Sequence, residues 1–261
     1  MSLDLSGAGV VITGGGGGIG AALARVFAAE GARLVLADLE VSDLEAVAAE
    51  VGGVAVAGDA ASEKGVRRLV ARAREELGEI DLFCANAGVA RPGGPDAPED
   101  VWALSWEVNV MAHVRAAREL LPGWLARGRG HFLATVSAAG LLTNLGSAPY
   151  SVTKHGALAF AEWLSATYRH RGITVQAVCP QGVRTRMLAD TGAAGELIMG
   201  ASAIEPDQVA HTVLEGLRDG RFLILPHPEV AGYYATRATE NERWLAGMNK
   251  LQRKIEQVEG G

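Results

Sequence analysis

Cysteine is scarce in this chain. There are two, Cys84 and Cys179. No CxxC pair or Cys/His ligand spacing accompanies them, which argues against a zinc or other metal site. Each ends an apolar run and reads as a buried free thiol of a reducing compartment. Aromatic residues are also few, 5% of the chain against 49% hydrophobic residues overall. A core of Ala, Val, Leu and Gly suits closely packed helix-on-sheet layers. Basic charge is not in excess: 24 Lys and Arg stand against 30 Asp and Glu, a net charge of -6. That balance argues against nucleic acid as the main partner. The small basic run Arg67, Arg68, Arg72 and Arg74 is interleaved with Glu63, Glu75 and Glu76 and reads as a solvated helix face. No uncharged apolar run approaches the length of a membrane span, and no basic stretch followed by an apolar segment opens the chain. The expectation is a cytoplasmic protein without membrane contact.

What is present is an alternation. Short apolar runs at Val10–Ile12, Arg33–Ala37, Val54–Ala57, Ile80–Ala85, His131–Val136, Ile173–Cys179 and Phe222–Leu225 read as seven strands. Helical patterns lie between most of them: Ile19–Glu30, Val41–Glu50, a helix from the Ser62 cap to Leu77, Glu99–Arg127 with an interruption near Pro122-Gly123, and one ending near Gly172. Pro206 opens a further helix before the last strand. Strands alternating with helices, without hairpin turns, mean βαβ units and a parallel sheet. The expected fold is α/β, a single doubly wound Rossmann domain over residues 1–261 with about seven parallel strands and helices on both faces. Residues 187–202 show no firm period and read as a mobile flap. The tail, 228–261, carries Tyr233, Tyr234 and Trp244 and is expected to pack or to pair with something.

Two stretches carry chemistry. The first strand meets Thr13 and then five glycines, Gly14 to Gly18, before a helix. Glycines there allow a sharp turn and a close backbone approach to a pyrophosphate, which the helix N-terminus attracts with free N–H groups and its dipole. Asp38 ends the second strand, 18 residues after Gly20, where a carboxylate can accept both ribose hydroxyls of an adenosine. The same carboxylate would repel a 2′-phosphate. Leu39 and Glu40 offer no basic compensation, so the pattern favours NAD over NADP. The second stretch is Tyr150-Ser-Val-Thr-Lys154. Its spacing of four puts phenol and ammonium on one helix face. A fixed ammonium is expected to lower the phenol pKa from its usual value of about 10, making a tuned general acid/base.

With these motifs in this order the chain resembles the short-chain dehydrogenase/reductase family over roughly residues 5–227. Thr13-Gly14-xxx-Gly18-x-Gly20 matches the family's cofactor turn, Asp59 its acidic residue near the adenine, and Asn86-Ala-Gly88 its sheet-stabilising motif, with Ala85 where many members carry a further Asn. Asn109 matches the helix asparagine. Ser137, Tyr150 and Lys154 match the catalytic set. Pro180-Gln-Gly-Val-Arg-Thr185 resembles Pro-Gly-x-Val-x-Thr, with Gln181 in the usual glycine position. The resemblance implies that Ser137 holds the substrate oxygen and that Tyr150 moves the proton. Lys154 would tune Tyr150 and bind the nicotinamide ribose, and Asn109 would hold a proton-relaying water. The cofactor set implied is Gly14, Gly17, Gly18, Ile19, Asp38, Leu39, Asp59, Ala60, Asn86, Ala87, Gly88, Tyr150, Lys154, Pro180, Gly182, Val183 and Thr185.

The substrate signal is thinner. Leu141, Leu142, Leu145, Met187, Leu188, Leu197, Ile198 and Met199 suggest an apolar pocket, with Asn144, Gln181 and Arg186 as polar orienting groups. Leu141, Asn144, Gln181 and Met187 are the substrate candidates. His113 and His155 read as structural, His155 being turned about 100° from its neighbour Lys154 on the helix. The expected activity is hydride transfer between an apolar secondary alcohol or ketone and NAD. A non-catalytic NAD sensor or scaffold, and an NAD-dependent dehydratase or epimerase, are the alternatives on the same fold. Small residues along the helix of Tyr150 permit close helix approach, and by resemblance the chain is expected to form a homotetramer, with a dimer next.

Overall fold

The computed structural model describes residues 2–191, 195 and 199–259. Seven parallel strands, β1 (Gly9–Thr13), β2 (Arg33–Asp38), β3 (Val54–Ala57), β4 (Leu82–Ala85), β5 (Gly130–Thr135), β6 (Ile173–Val178) and β7 (Leu223–Ile224), form one sheet in the order β3-β2-β1-β4-β5-β6-β7. The order reverses between β1 and β4, so a crevice opens beyond their C-terminal ends, where open α/β sheets bind ligands.

Side chains of a strand alternate between faces, and β1 shows it: Val11 belongs to one apolar core, Val10 and Ile12 to the other. The core on Val11's side is covered by α3 (Glu63–Leu77), α5 (Ala112–Arg127) and α6 (Ala148–Tyr168). The opposite core is covered by α1 (Gly18–Ala29), α2 (Val41–Val51) and α8 (Pro206–Asp219). Phe27, Phe83 and Phe132 are fully buried. Trp124 is the other large aromatic buried there, its Nε1 donating to the Ile80 carbonyl at 2.7 Å, and the remaining large buried positions are aliphatic.

The segment expected as one helix broken near Pro122 is organised differently. α4 (Glu99–Trp106) runs into a π-helical turn, Glu107–Met111, and then into α5, which passes through Pro122. Pro122 has no N–H to offer the Arg118 carbonyl one turn back; beside it the Glu119 carbonyl accepts from Arg74 Nη2 of α3 at 2.9 Å. The expected flap is not without structure either. α7 (Arg186–Ala189) opens it and a 3₁₀ turn, Gly200–Ser202, closes it; Leu197 and Ile198 lie outside the described residues. The tail forms two helices, α9 (Glu229–Thr239) and α10 (Asn241–Glu259).

Candidate active site

The C-terminal ends of β1, β4 and β5 are stitched by side chains. Thr13 Oγ1 donates to the Cys84 carbonyl at 3.2 Å and accepts from the Asn86 and Ala87 amides at 3.0 Å each. Asn86 Nδ2 donates to the Thr13 carbonyl, and Asn86 Oδ1 accepts from Thr135 Oγ1, both at 3.0 Å. Ala85, in place of a further asparagine, is buried. This stitching fixes the edge from which the glycine turn leaves the sheet.

The turn fits a nucleotide pyrophosphate. Gly14 and Gly18 have φ of +66° and +50°, the left-handed region that glycine adopts at least cost. A Cβ on Gly16 would come to 3.1 Å of Asp38 Oδ2, whereas one on Gly17 would meet only open space beside the cavity. α1 starts there with no acidic residue in its first turn, leaving the positive end of its dipole uncancelled. Asp38 accepts from the Gly16 amide at 3.0 Å and the Leu39 amide at 2.7 Å, one bond on each oxygen. A carboxylate has about four acceptor sites, so both oxygens keep capacity for ribose hydroxyls.

Ser147 begins the helix that carries Tyr150 and Lys154: its hydroxyl accepts from the Tyr150 amide at 3.2 Å and donates to the Arg91 carbonyl. Tyr150 therefore sits in the first turn of α6, where the dipole favours an anion. Lys154 is buried, donates to the Thr135 carbonyl at 2.9 Å and lies 5.6 Å from the centroid of the Tyr150 ring. Burial pulls the Lys154 ammonium down to about 8, with Cys179 opposing. The Tyr150 phenol is raised, first by burial, with the Ser137 hydroxyl working against the rise through a hydrogen bond. The expected lowering by Lys154 is thus not what the structure contains. The ammonium stands over the ring and serves a backbone carbonyl, and desolvation of the phenol dominates. Burial likewise pushes the Cys179 thiol up to about 12, Lys154 opposing and Glu162 adding. Both cysteines are free and buried.

Ser137 has φ 89° and ψ 152° and is the one non-glycine residue with positive φ among those described. Such backbone costs roughly 1–3 kcal/mol and gathers at functional sites. Its hydroxyl accepts from the Ala139 amide at 3.2 Å and donates to the Pro180 carbonyl at 3.3 Å. Pro180 opens the segment with Gln181 in the unusual position. The Gln181 amide donates to His227 Nδ1 at 3.1 Å, and His227 Nε2 reaches the Ser202 carbonyl at 3.1 Å. That pairing makes the ring an Nε2–H tautomer. It also ties the 180–182 turn, the end of the flap and the start of the tail together.

These elements surround one cavity of about 1090 Å³. Gly14, Gly17, Gly18, Ile19, Asp38, Asn86, Ala87, Gly88, Ser137, Tyr150, Lys154, Pro180, Gly182, Val183 and Thr185 line it, as do Asn144, Gln181 and Met187. Five expected residues stand off its wall. Leu141 is 1% exposed in the core under α6, because the short 3₁₀ turn Ala138–Gly140 points it inward and leaves Leu142 to line the cavity. Asp59 accepts from the Ala61 and Ser62 amides at the start of α3, and Ala60 packs against the core. Burial raises the Asp59 carboxyl, but these amides, the Ser62 hydroxyl and Arg115 together hold it below its ordinary value. Leu39 is exposed. Asn109 sits in the π turn, wholly buried. Its Nδ2 donates to the Val89 carbonyl and to Thr153 Oγ1, and its Oδ1 accepts from the Val89 amide. One Oδ1 lone pair is left on the side of Gly88 and Lys154. His113, expected as structural, is buried against Phe132 with neither ring nitrogen hydrogen-bonded.

The tail was the missed part of the wall. Tyr233 of α9 and Trp244, Met248 and Leu251 of α10 line the same cavity. Their spacing, with Ile255 beyond, is a readable helical stripe.

Among the described residues, no cluster of three or more His, Cys, Asp or Glu is placed to hold a metal, and no helix is long and apolar enough to cross a membrane. Residues 8–195 match the family model described as short chain dehydrogenase. The 1-deoxy-11-beta-hydroxypentalenate dehydrogenase of Streptomyces exfoliatus is 36% identical over 84% of this chain and 82% of its own. The human epidermal retinol dehydrogenase 2 is 30% identical over 83% and 73%. A short chain dehydrogenase/reductase from Burkholderia phymatum, solved in complex with NAD, superposes with a TM-score of 0.85 at 28% identity, covering 92% of this chain and 96% of that one. The L-sorbose reductase of Gluconobacter frateurii, solved with NADPH and L-sorbose, gives 0.76 at 26% identity over 85% and 97%.

Proposed function

Because the chain belongs to the short-chain dehydrogenase/reductase family, and is thus an oxidoreductase, we propose that it moves a hydride between NAD and an apolar secondary alcohol or its ketone. The observation that carries this reading is convergence: the glycine turn, Asp38, Ser137, Tyr150 and Lys154 all open on one cavity. NAD and NADP both occur in the similar structures, and Asp38 supports NAD here, since its carboxylate suits ribose hydroxyls and would repel a phosphate. The bound nicotinamide supplies the hydride acceptor or donor.

In the oxidation direction the alcohol oxygen lies against Ser137 and Tyr150. Tyr150, as phenolate, takes the hydroxyl proton while the carbon releases its hydride and the C=O bond forms; reduction runs the same path backwards. Ser137 steadies the oxygen, its hydroxyl exchanging the Pro180 carbonyl for the substrate. Lys154, already pointed at the cavity floor, holds the ribose and attracts the phenolate. Asn109 pins the 86–89 loop to α6 and keeps one acceptor site for a relayed water. With the phenol raised by burial, oxidation is favoured by alkaline conditions and reduction by neutral ones.

Bulk and apolarity of the substrate are supported by the Leu142, Met187, Met199, Trp244 and Leu251 side chains on the far wall, and by relatives named for hydroxypentalenate and retinol. We also propose a homotetramer, or failing that a dimer. Trp106 of α4 and Val152 and Trp163 of α6 are 44%, 50% and 55% exposed, and Trp106 lies over Gly156, forming an apolar face for another copy. Sedimentation at micromolar concentration showing a monomer would count against it. Free buried thiols favour a reducing compartment, the cytoplasm.

The activity is tested by following NADH during incubation with secondary alcohols of graded size, and with the matching ketones in reverse. Turnover should rise with apolar bulk. No turnover across the whole series would remove the reading.

A further inference from the structure

The tail forms a wall of the cavity, and one arginine fastens it. Arg237, near the end of α9, is half-buried. Its Nη1 donates to the Leu141 carbonyl and to His155 Nε2, the latter at 2.9 Å. On the other side of the ring, His155 Nδ1 reaches the Ser151 carbonyl at 2.8 Å. A carbonyl can only accept, so the proton is on Nδ1 and Nε2 offers its lone pair to the arginine. Ser151 Oγ in turn donates to the Asn144 carbonyl and accepts from the Asn144 amide, both at 3.0 Å.

The chain of contacts therefore runs from the tail through His155 to Asn144 on the cavity wall. It touches α6 at Ser151 and His155, each the immediate neighbour of Tyr150 or Lys154. One guanidinium nitrogen thus holds two acceptors on different elements, the Leu141 carbonyl and the His155 ring of α6. Beyond Arg237, α10 brings Trp244, Met248 and Leu251 to the cavity at helical spacing. A small alcohol at Tyr150 does not need that wall; a bulky one rests on it.

We propose that Arg237 is a positioning residue that clamps the α9–α10 tail to the catalytic helix through His155 and the Leu141 carbonyl, and so sets the preference for bulky apolar alcohols. This rests on the alcohol–ketone reading given above. In the same terms His155, which the sequence marks only as structural, is the receiving half of the clamp.

The test compares wild type, Arg237→Ala and Arg237→Lys. Three quantities are measured: KM and kcat for a small and a fused-ring secondary alcohol at saturating NAD, the dissociation constant of NAD, and amide hydrogen exchange over residues 229–259. For Arg237→Ala the ratio of bulky to small KM should rise by about tenfold, the scale of one lost hydrogen bond to a charged group. The kcat ratio should move far less, NAD affinity should hold, and exchange in the tail should quicken. Arg237→Lys should recover part of both effects. An unchanged KM ratio, or equal loss for both alcohols with weakened NAD binding, would overturn the clamp, since either marks general damage or indifference. Should wild type turn over no alcohol, the activity reading falls separately. Exchange then decides: faster exchange in Arg237→Ala supports the clamp and unchanged exchange refutes it.

Discussion

The two sides of the cavity are built by different means. On the β1–β4 side the wall is backbone: glycines, a helix N-terminus, and a carboxylate held by two amides. On the far side the wall is side chain: methionines, leucines and a tryptophan brought from α7, the 199–202 segment and the tail. The first kind of wall recognises a constant ligand and tolerates little change. The second can be re-cut one residue at a time. Tyr150 and Lys154 stand between them, at the start of α6.

The largest effect should come from the boundary itself. Tyr150→Phe keeps the ring and loses the proton-transferring oxygen. Turnover should fall by about 10²–10⁴-fold while NAD affinity stays near wild type. Lys154→Ala should damage both, because in the proposed mechanism one ammonium serves the ribose and the phenol. Titration of NAD into each variant, beside its steady-state rate, separates the two. A Tyr150→Phe enzyme within twofold of wild type would dissolve the boundary.

The backbone-built side is probed next. A phosphate about 4 Å from the Asp38 carboxylate is opposed by about 4 kcal/mol at an effective dielectric of 20, an upper figure for a site open to solvent. NAD should be preferred over NADP by about a hundredfold or more in kcat/KM. Asp38→Ser with Leu39→Arg should shrink or reverse that ratio, removing the repulsion and adding a phosphate partner. Equal use of both cofactors by wild type would mean that the carboxylate does not meet the ribose.

The smallest effect concerns the scaffold both sides share. Burial, with the Lys154 charge adding, pushes the His113 imidazole down to about 3, and burial takes His131 to about 4 against the hydrogen bond its Nε2 donates to Gln176 Oε1. Between the ordinary histidine pKa near 6.5 and these values, the unfolded chain binds protons that the native protein refuses. Stability is therefore full above about pH 6.5 and is lost as pH falls toward 3. His113→Leu should reduce the acid slope by about 1.4 kcal/mol per pH unit, one proton's worth. Denaturant melts at pH 7.5 and 5 would show it. An unchanged slope would mean that the unfolded chain does not take up the proton at this position.

The same contrast explains what could be read without coordinates. A wall made of backbone leaves its mark in residue type, because only glycine fits Gly14 and Gly18 and only a carboxylate does what Asp38 does. That the sheet is parallel, with helices between its strands, followed from the alternation. A wall made of side chains leaves no comparable mark. Leu141 and Leu142 are the same residue in adjacent places, and only the direction of a short 3₁₀ turn sends one inward and the other to the cavity. The stripe Trp244, Met248, Leu251 and Ile255 was legible as an amphipathic helix, but nothing local says what that helix packs against. Asp59, expected beside the adenine, holds the Ala61 and Ser62 amides just before α3, a contact its residue type alone does not announce. The lowering of the Tyr150 phenol was argued from spacing, which does not report burial.

The π turn at Glu107–Met111 was invisible for another reason: it is a matter of phase, and phase has no residue signature. Its wider turn adds a residue to an otherwise α-helical rod. Each added residue shifts every position beyond it by about 100°. The rod from 99 to 127 thus keeps two phases at once. Its first part turns Leu104 and Trp106 outward, and its second holds Ala116, Leu120 and Trp124 on the sheet. Removing one residue from the turn would leave a smooth helix with one half out of step: either the outward face would rotate inward, or Asn109 would swing off Thr153. The π turn works as a phase shifter, letting an outer surface and an inner site share one rod without sharing one register.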